Sequence, residues 1–320
     1  MNKKAFLISI DTEGDNLWEW KPGKKITTEN SLYLERFQSL CDKYGFKPTY
    51  LTNYEMAADD RFVSFAKKTL GYSGCEIGMH LHAWNSPPDY ELKERSDGIE
   101  SGCPYLIEYP TDIMEQKIDY LTRFLGEKFG NAPIVHRAGR WAMDERYFKL
   151  LDKYGYISDC SVTPGMNWNN CSGFSDGSKG SDYSDFPCEP YIVNGTSVME
   201  LPVNVIADHR VRKDNTGGLK HKLGNLYRAF KGYGRIWLRP NGKNLESMLY
   251  MAECVYKSRS NYLMFMLHSS EFMPGGSPTF DNAEKIEKLY SDIGVLFERI
   301  SNMYTGSTIG DFSKKIIKKA

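Results

Sequence analysis

Two short segments hold residue types whose spacing suits metal chemistry. The first is Gly78-Met79-His80-Leu81-His82, which closes an apolar run. Side chains two apart on a strand project to the same face, so His80 and His82 present both imidazoles to one side. The second is Ile8-Ser9-Ile10-Asp11-Thr12-Glu13-Gly14-Asp15, an aliphatic strand ending in acids. Asp11 and Glu13 share a face by the same period, and two carboxylates that close repel unless a cation or a shared proton compensates. H-x-H by itself also suits two ordinary histidines, and the acids by themselves suit a strand end that caps the next loop. Taken together, two histidines and one carboxylate form a common catalytic zinc set with an open position for water. The second carboxylate then serves as general base on that water. Asp11 and Glu13 are interchangeable in these two roles at this level.

Three further strand ends add ionisable groups. His268 follows the apolar run 262–267 and leads into Ser-Ser-Glu271. A histidine there suits protonation of a leaving group, with Glu271 orienting or replacing it. His136-Arg137-Ala-Gly-Arg140-Trp141 ends another strand. A buried Arg137 would hold a carboxylate ionised, whereas an exposed one would be a surface ion pair. Asp159 is the natural partner for Arg137 or for a histidine N–H.

The elements that must position these groups alternate. Strands are predicted at 4–11, 48–52, 75–82, 134–137, 156–160 and 262–267. Helices are predicted at 30–44 with Thr28 as N-cap, at 60–70, from Thr111 or Asp112 to 129, and at 143–154, 244–258 and 281–303. Such alternation implies a mainly parallel sheet with outer helices, either open or closed into a barrel. Ligands of both architectures sit at the carboxyl ends of the strands. Asp11, His80/His82, Arg137, Asp159 and His268 all follow strands directly, so one rim collects them. Residues 83–110 and 163–196 interrupt the alternation as long loops, a length that usually marks lids or binding segments. No linker demands a second domain, and 1–320 reads as one catalytic unit.

Bulk properties exclude several classes. Hydrophobic residues make up 41% of the chain and the formal net charge is zero, so neither disorder nor a global field for nucleic acid is implied. The apolar run after Lys3-Lys4 is shorter than a secretory core requires, and no run is long enough to span a membrane. Seven cysteines without a C-x-x-C pair suit a reducing compartment, which points to the cytoplasm.

These segments, in this order, resemble the motifs of the polysaccharide deacetylase family, carbohydrate esterase family 4. Ser9-Ile10-Asp11-Thr12 matches three positions of its first motif but puts Thr12 where the family has a metal-binding Asp, so Glu13 or Asp11 takes over that role. His82 stands in for a second histidine that the family places four residues after the first, where Trp84 lies. Residues 137–140 resemble the third motif, 159–161 the fourth, and Leu267-His268 the fifth, whose histidine is the family's catalytic acid. The departures resemble a branch found among lipopolysaccharide and capsule biosynthesis proteins. The resemblance implies a distorted (β/α)7 barrel, a divalent metal, most simply Zn2+, and removal of an N-acetyl or, less in keeping, an O-acetyl group from a sugar. Trp84, Trp141 and Trp168 would stack on the sugar, and Arg140 would bind it. Two other readings stand beside this one: a carbohydrate-binding homologue without catalysis, and a metal-dependent amidohydrolase for a non-sugar amide.

One local charge excess bears on the substrate. Residues 209–243 contain ten Lys or Arg and one acid, Asp214. A solvated basic face accounts for this, and so does binding of a nucleotide- or lipid-pyrophosphate-linked sugar, with Arg210, Arg212 and Lys213 as contacts.

Overall fold

Strand β1 (Lys4–Thr12) is buried on both faces for most of its length, as its aliphatic run requires of a strand central to a parallel sheet. In the computed structural model, which describes residues 3–21, 23–208, 210 and 234–318, β1 pairs in parallel with β10 (Tyr262–His268) along one side. Along the other it pairs first with β11 (Tyr304–Ser307) and then with β2 (Pro48–Thr52). The sheet continues through β3 (Glu76–Leu81), β4 (Val135–Ala138), β5 (Ser158–Asp159) and β7 (Met199–Glu200), all parallel. It ends on the antiparallel β6 (Tyr191–Ile192). From β10 to β7 there are thus seven parallel strands, the number a (β/α)7 barrel carries.

The sheet curls without closing by a ladder. Among the described residues no strand pairing joins β7 to β10. The seam is bridged singly: the Tyr262 hydroxyl donates to the Pro202 carbonyl, the Met264 N–H to Asn204 Oδ1 at 2.6 Å, and the Met266 N–H to the Leu238 carbonyl at 3.1 Å. A separate antiparallel pair, β8 (Val205–Asp208) with β9 (Gly234–Trp237), lies beyond it.

Alternate residues of β1 face opposite ways. Phe6, Ile8 and Ile10 pack with residues of the outer helices α1 (Leu34–Tyr44), α6 (Leu245–Lys257) and α7 (Ala283–Ile300), among them Phe37, Met248 and Phe297. Leu7 instead joins Leu51, Val135 and Met264 inside the curl. The last helix, α8 (Ile309–Ile317), inserts Ile309 and Phe312 into that inner cluster, filling the space near the strands' amino ends. On the same inward face, further along β1, come Ser9 and Asp11. The remaining helices, α2 (Tyr54–Ala58), α3 (Asp60–Tyr72), α4 (Thr111–Phe129) and α5 (Glu145–Lys153), cover the strands from β2 to β5.

The structure departs from the sequence reading at several elements. The helix expected over 30–44 opens as a 3-10 turn, Glu29–Tyr33, and Thr28 makes no side-chain cap. Asn30 turns inward instead and donates to the Glu13 carbonyl at 2.9 Å. The fifth strand shrinks to two residues. Strand β11 and helix α8 continue the fold past the helix that was expected to end it. Within the basic segment 209–243, His209, Arg212 and Lys213 lie outside the described residues.

Candidate functional site

The two-residue period brings the inward side chains of β1 and β3 together at their carboxyl ends. Glu13 Oε2 lies 3.3 Å from His80 Nε2 and 3.2 Å from His82 Nε2, and the two Nε2 atoms are 3.0 Å apart. All three residues are almost fully buried. Their donor atoms converge within 4.8 Å, a grouping able to hold a cation. Hydrogen bonding fits that reading. His80 Nδ1 faces the Arg137 carbonyl at 3.0 Å, so it carries the proton and leaves the Nε2 lone pair for the centre. His82 Nδ1 is buried without a partner. It is unpaired in either neutral tautomer, so the contact between the two Nε2 atoms is what bears on the centre. A shared cation uses both lone pairs and removes the like-atom contact. The donor set, two imidazoles and a carboxylate, suits a divalent metal.

The backbone around Glu13 is fixed on three sides. Ser269 Oγ accepts from the Glu13 N–H and donates to its carbonyl, both at 3.1 Å. The next N–H, of Gly14, donates to Glu55 at 3.1 Å. Burial pushes the Glu55 carboxyl up to about 7, with the Glu13 charge adding to the effect. Gly139 makes room for His82, since a Cβ there would fall 2.5 Å from the imidazole. The following residues, Arg140 and Trp141, hold left-handed backbone at φ 57° and 64°, a strained turn of the kind that clusters at functional sites.

Asp11 is committed differently from Glu13. Arg137, fully buried, donates to Asp11 Oδ1 at 2.6 Å, to Ser9 Oγ at 2.9 Å and to the Cys160 carbonyl at 3.0 Å. The expected partner Asp159 is not there. Burial pushes the Asp11 carboxyl up, but Arg137, His80 and His268 outweigh it and hold the group below the usual carboxylate range. Asp11 Oδ2 is left facing His268 Nε2 at 3.8 Å. His268 is oriented by Glu271, whose Oε2 accepts from the His268 N–H at 2.9 Å and sits 3.1 Å from Nδ1. Arg239 Nη2 approaches Glu271 and His268 Nδ1, each at 3.2 Å. Burial pushes Glu271 up, and Arg239 with His268 brings it below its usual value.

Asp159 takes the second of the two partners expected for it, a histidine N–H, and not Arg137. It stands in register with His136, on the face of the sheet opposite Arg137. It lies 2.5 Å from His136 Nδ1, while His136 Nε2 meets the Tyr147 hydroxyl at 2.7 Å. All are buried beneath α5. Arg140 has a second engagement. It lines the cavity, but its guanidinium donates to the Cys103 and Ser172 carbonyls and so clamps the two long loops together.

The cavity over these groups measures about 410 Å3. Trp84, Trp141 and Trp168 line it as expected. Trp84 stacks on His82 at 4.3 Å, so one of its faces supports the imidazole. Trp18, Trp20 and Arg239 were not anticipated. Trp18 sets its edge against His268 at 4.8 Å, and Trp20 stacks on Trp84 at 6.0 Å. The only sequence signal for the first two was a Trp-Glu-Trp segment directly after the acidic strand end.

No family model and no curated protein matches the sequence. Solved structures do match. A Mycobacterium smegmatis protein assigned to the polysaccharide deacetylases superposes with a TM-score of 0.54 over 99% of this chain and 92% of its own, at 14% identity. A Pseudomonas aeruginosa protein assigned likewise gives 0.53 over 97% and 89%, at 12% identity. An allantoinase, PuuE, gives 0.50 over 97% and 88%, at 14% identity. The chain therefore has the fold of the polysaccharide deacetylases. At these identities the likeness is one of fold.

Proposed function

We propose that the protein is a metal-dependent hydrolase that removes an acetyl group, N-acetyl in preference to O-acetyl, from a sugar. The observation that carries this reading is the convergence of Glu13, His80 and His82 beneath a tryptophan-lined cavity that His268 and Asp11 also enter. Glu13 is the carboxylate ligand and Asp11 the base, because Glu13 faces both Nε2 atoms whereas one oxygen of Asp11 is taken by Arg137. Zn2+ fits the donor set, and a bound cation would supply Lewis acidity toward the acyl carbonyl and acidify water.

The chain's own residues then divide the proton transfers. Asp11 Oδ2 takes a proton from water as the water oxygen bonds to the acyl carbon. Arg137 keeps Asp11 ionised and oriented throughout. As the C–N bond breaks, His268 Nε2 gives a proton to the leaving nitrogen, while Glu271 fixes the ring through Nδ1. Acetate and the free amine are the products. Trp18, Trp141 and Trp168 offer apolar faces and edges to a sugar ring.

The neighbours named as polysaccharide deacetylases support the sugar substrate. The neighbour named as an allantoinase supports a second reading, a non-sugar amide handled by the same groups. A cytoplasmic step in cell-surface polysaccharide synthesis, on a nucleotide- or lipid-linked sugar, accords with the cysteine usage and the basic segment. No helix among the described residues is long and apolar enough to cross a membrane. The test is bound metal and acetate release measured together on purified protein, against acetylated sugars and small amides. About one divalent metal per chain with acetate released from a sugar is the expected result. Release of amine from the non-sugar amides alone would select the second reading, and neither metal nor turnover after zinc addition would leave a non-catalytic binding protein.

A further inference from the structure

The cavity over the metal donors continues past its own wall. Trp18, Trp168 and Arg239 line it and also line a second cavity of about 600 Å3, bounded on its far side by β9 and the turn that follows. Charge in this second cavity is uneven. Arg239 is matched by Glu271, and Asp208 is matched by Arg210 at 2.9 Å. Arg210, named from the sequence as a contact for phosphate, is therefore already engaged, donating also to Ser247 at 2.7 Å. Arg235, on β9, also lines the cavity and forms no ion pair with a carboxylate among the described residues.

Arg235 is nonetheless seated. Its guanidinium carbon lies where Gly165 leaves space, since a Cβ at that glycine would come within 3.0 Å of it. Beside it stands Trp237, set edge-on to both Trp141 and Trp168 at 5.9 and 6.2 Å. An exposed guanidinium unmatched among the described residues, at the edge of an aromatic-walled cavity that opens from an acyl-transfer site, suits an anion. The room exceeds what a carboxylate needs and suits a phosphoryl group with whatever it is esterified to.

We infer that the second cavity binds a phosphoryl group carried by the substrate, with Arg235 as its charged ligand. The inference rests on the deacetylase reading for what the rest of that substrate is, but not for the anion site itself. The experiment is calorimetric titration of the full chain with N-acetylglucosamine, its 1-phosphate, its uridine diphosphate conjugate and N-acetylmuramic acid, with acetate release followed in parallel. The wild type should bind at least one phosphorylated sugar about tenfold more tightly than the neutral one, the scale of one charge-assisted contact. Arg235→Ala should erase that preference and keep the affinity for N-acetylglucosamine, which also certifies its fold. Arg235→Gln, read the same way, decides the matter if the alanine variant does not fold. Equal affinity of the wild type for charged and neutral sugars would overturn the inference. So would a preference that survives in both variants, or an equal gain for the carboxylate of N-acetylmuramic acid. Absence of acetate release from every sugar would remove the deacetylase reading, while the binding preference would still decide the anion site.

Discussion

Two buried clusters of acid and histidine lie on opposite faces of one sheet, and they differ in what their hydrogen bonds leave over. In the outer cluster, both nitrogens of His136 have protein partners, Asp159 and the Tyr147 hydroxyl. Asp159 also accepts from the N–H and hydroxyl of Ser161 at 2.9 Å. In the inner cluster, His82 Nδ1 has no partner, and two Nε2 atoms and a carboxylate oxygen point at one another beneath a cavity. Residue types and burial are alike. The two differ in whether the remaining hydrogen-bonding groups are used up within the protein.

The sharpest way to break this contrast is to remove one donor from the inner cluster. His80→Ala should abolish metal binding and lower acetate release by about a thousandfold or more, with the fold kept. Metal content by mass spectrometry and circular dichroism on the same sample report both halves. A variant that keeps its metal would show that the inner cluster is structural like the outer. His268→Ala should lower kcat by about 10²- to 10⁴-fold with metal content unchanged, because it removes a proton donor and no ligand. If bound metal fell with kcat, His268 would have to be counted among the ligands.

Asp159→Ala tests the other side of the sheet. It leaves His136 and Ser161 without their shared acceptor, a loss of about 3–5 kcal/mol of stability for a buried pair broken at one partner. Activity per folded molecule should change little, and a thermal melt beside an activity titration separates the two effects. A large fall in kcat without loss of stability would place Asp159 in catalysis after all. The smallest effect concerns Glu200, which burial and the Asp159 charge push well above the usual carboxylate value. An acid raised on folding contributes stability that is full below its unfolded pKa and is lost as pH rises. Glu200→Gln should therefore match the wild type near pH 4 and exceed it at pH 8 in urea melts. Identical pH slopes would show that Glu200 is ionised in the fold.

The sequence revealed much of the inner cluster because the side-chain period of a strand is two. Leu7, Ser9, Asp11 and Glu13 share a parity, as do His80 and His82, and aliphatic strands buried on both faces were readable as continuous runs. The same reasoning misplaced Asp159. Its strand has only two residues, too few for alternation to say which face is inward. Trp18, Trp20 and Arg239 were out of reach because loops bring them back to the cavity, and no local pattern encodes a loop's path. The clamp made by Arg140 was invisible for the same reason, since its acceptors are carbonyls of two distant segments. Six of the seven parallel strands were readable and the count of seven came from the family resemblance, whereas the bridging of the seam by Asn204 and Leu238 depends on side-chain and backbone groups outside any ladder.

The position of β1 governs the order in which the molecule can mature. This strand, which precedes every other strand of the sheet, pairs from Ala5 to Asp11 with β10, and over its first half with β11. Both partners follow the other strands of this sheet in the chain, so loop closure precedes most of its reward and assembly is slow. Ser269, which pins Glu13, and His268, which faces Asp11, arrive with β10. A nascent chain that has released β1 to β5 thus holds His80 and His82 on an unfinished sheet, with Glu13 held by Asn30 and Glu55 but not yet by Ser269. On the proposed function, metal capture is therefore coupled to the docking of β10.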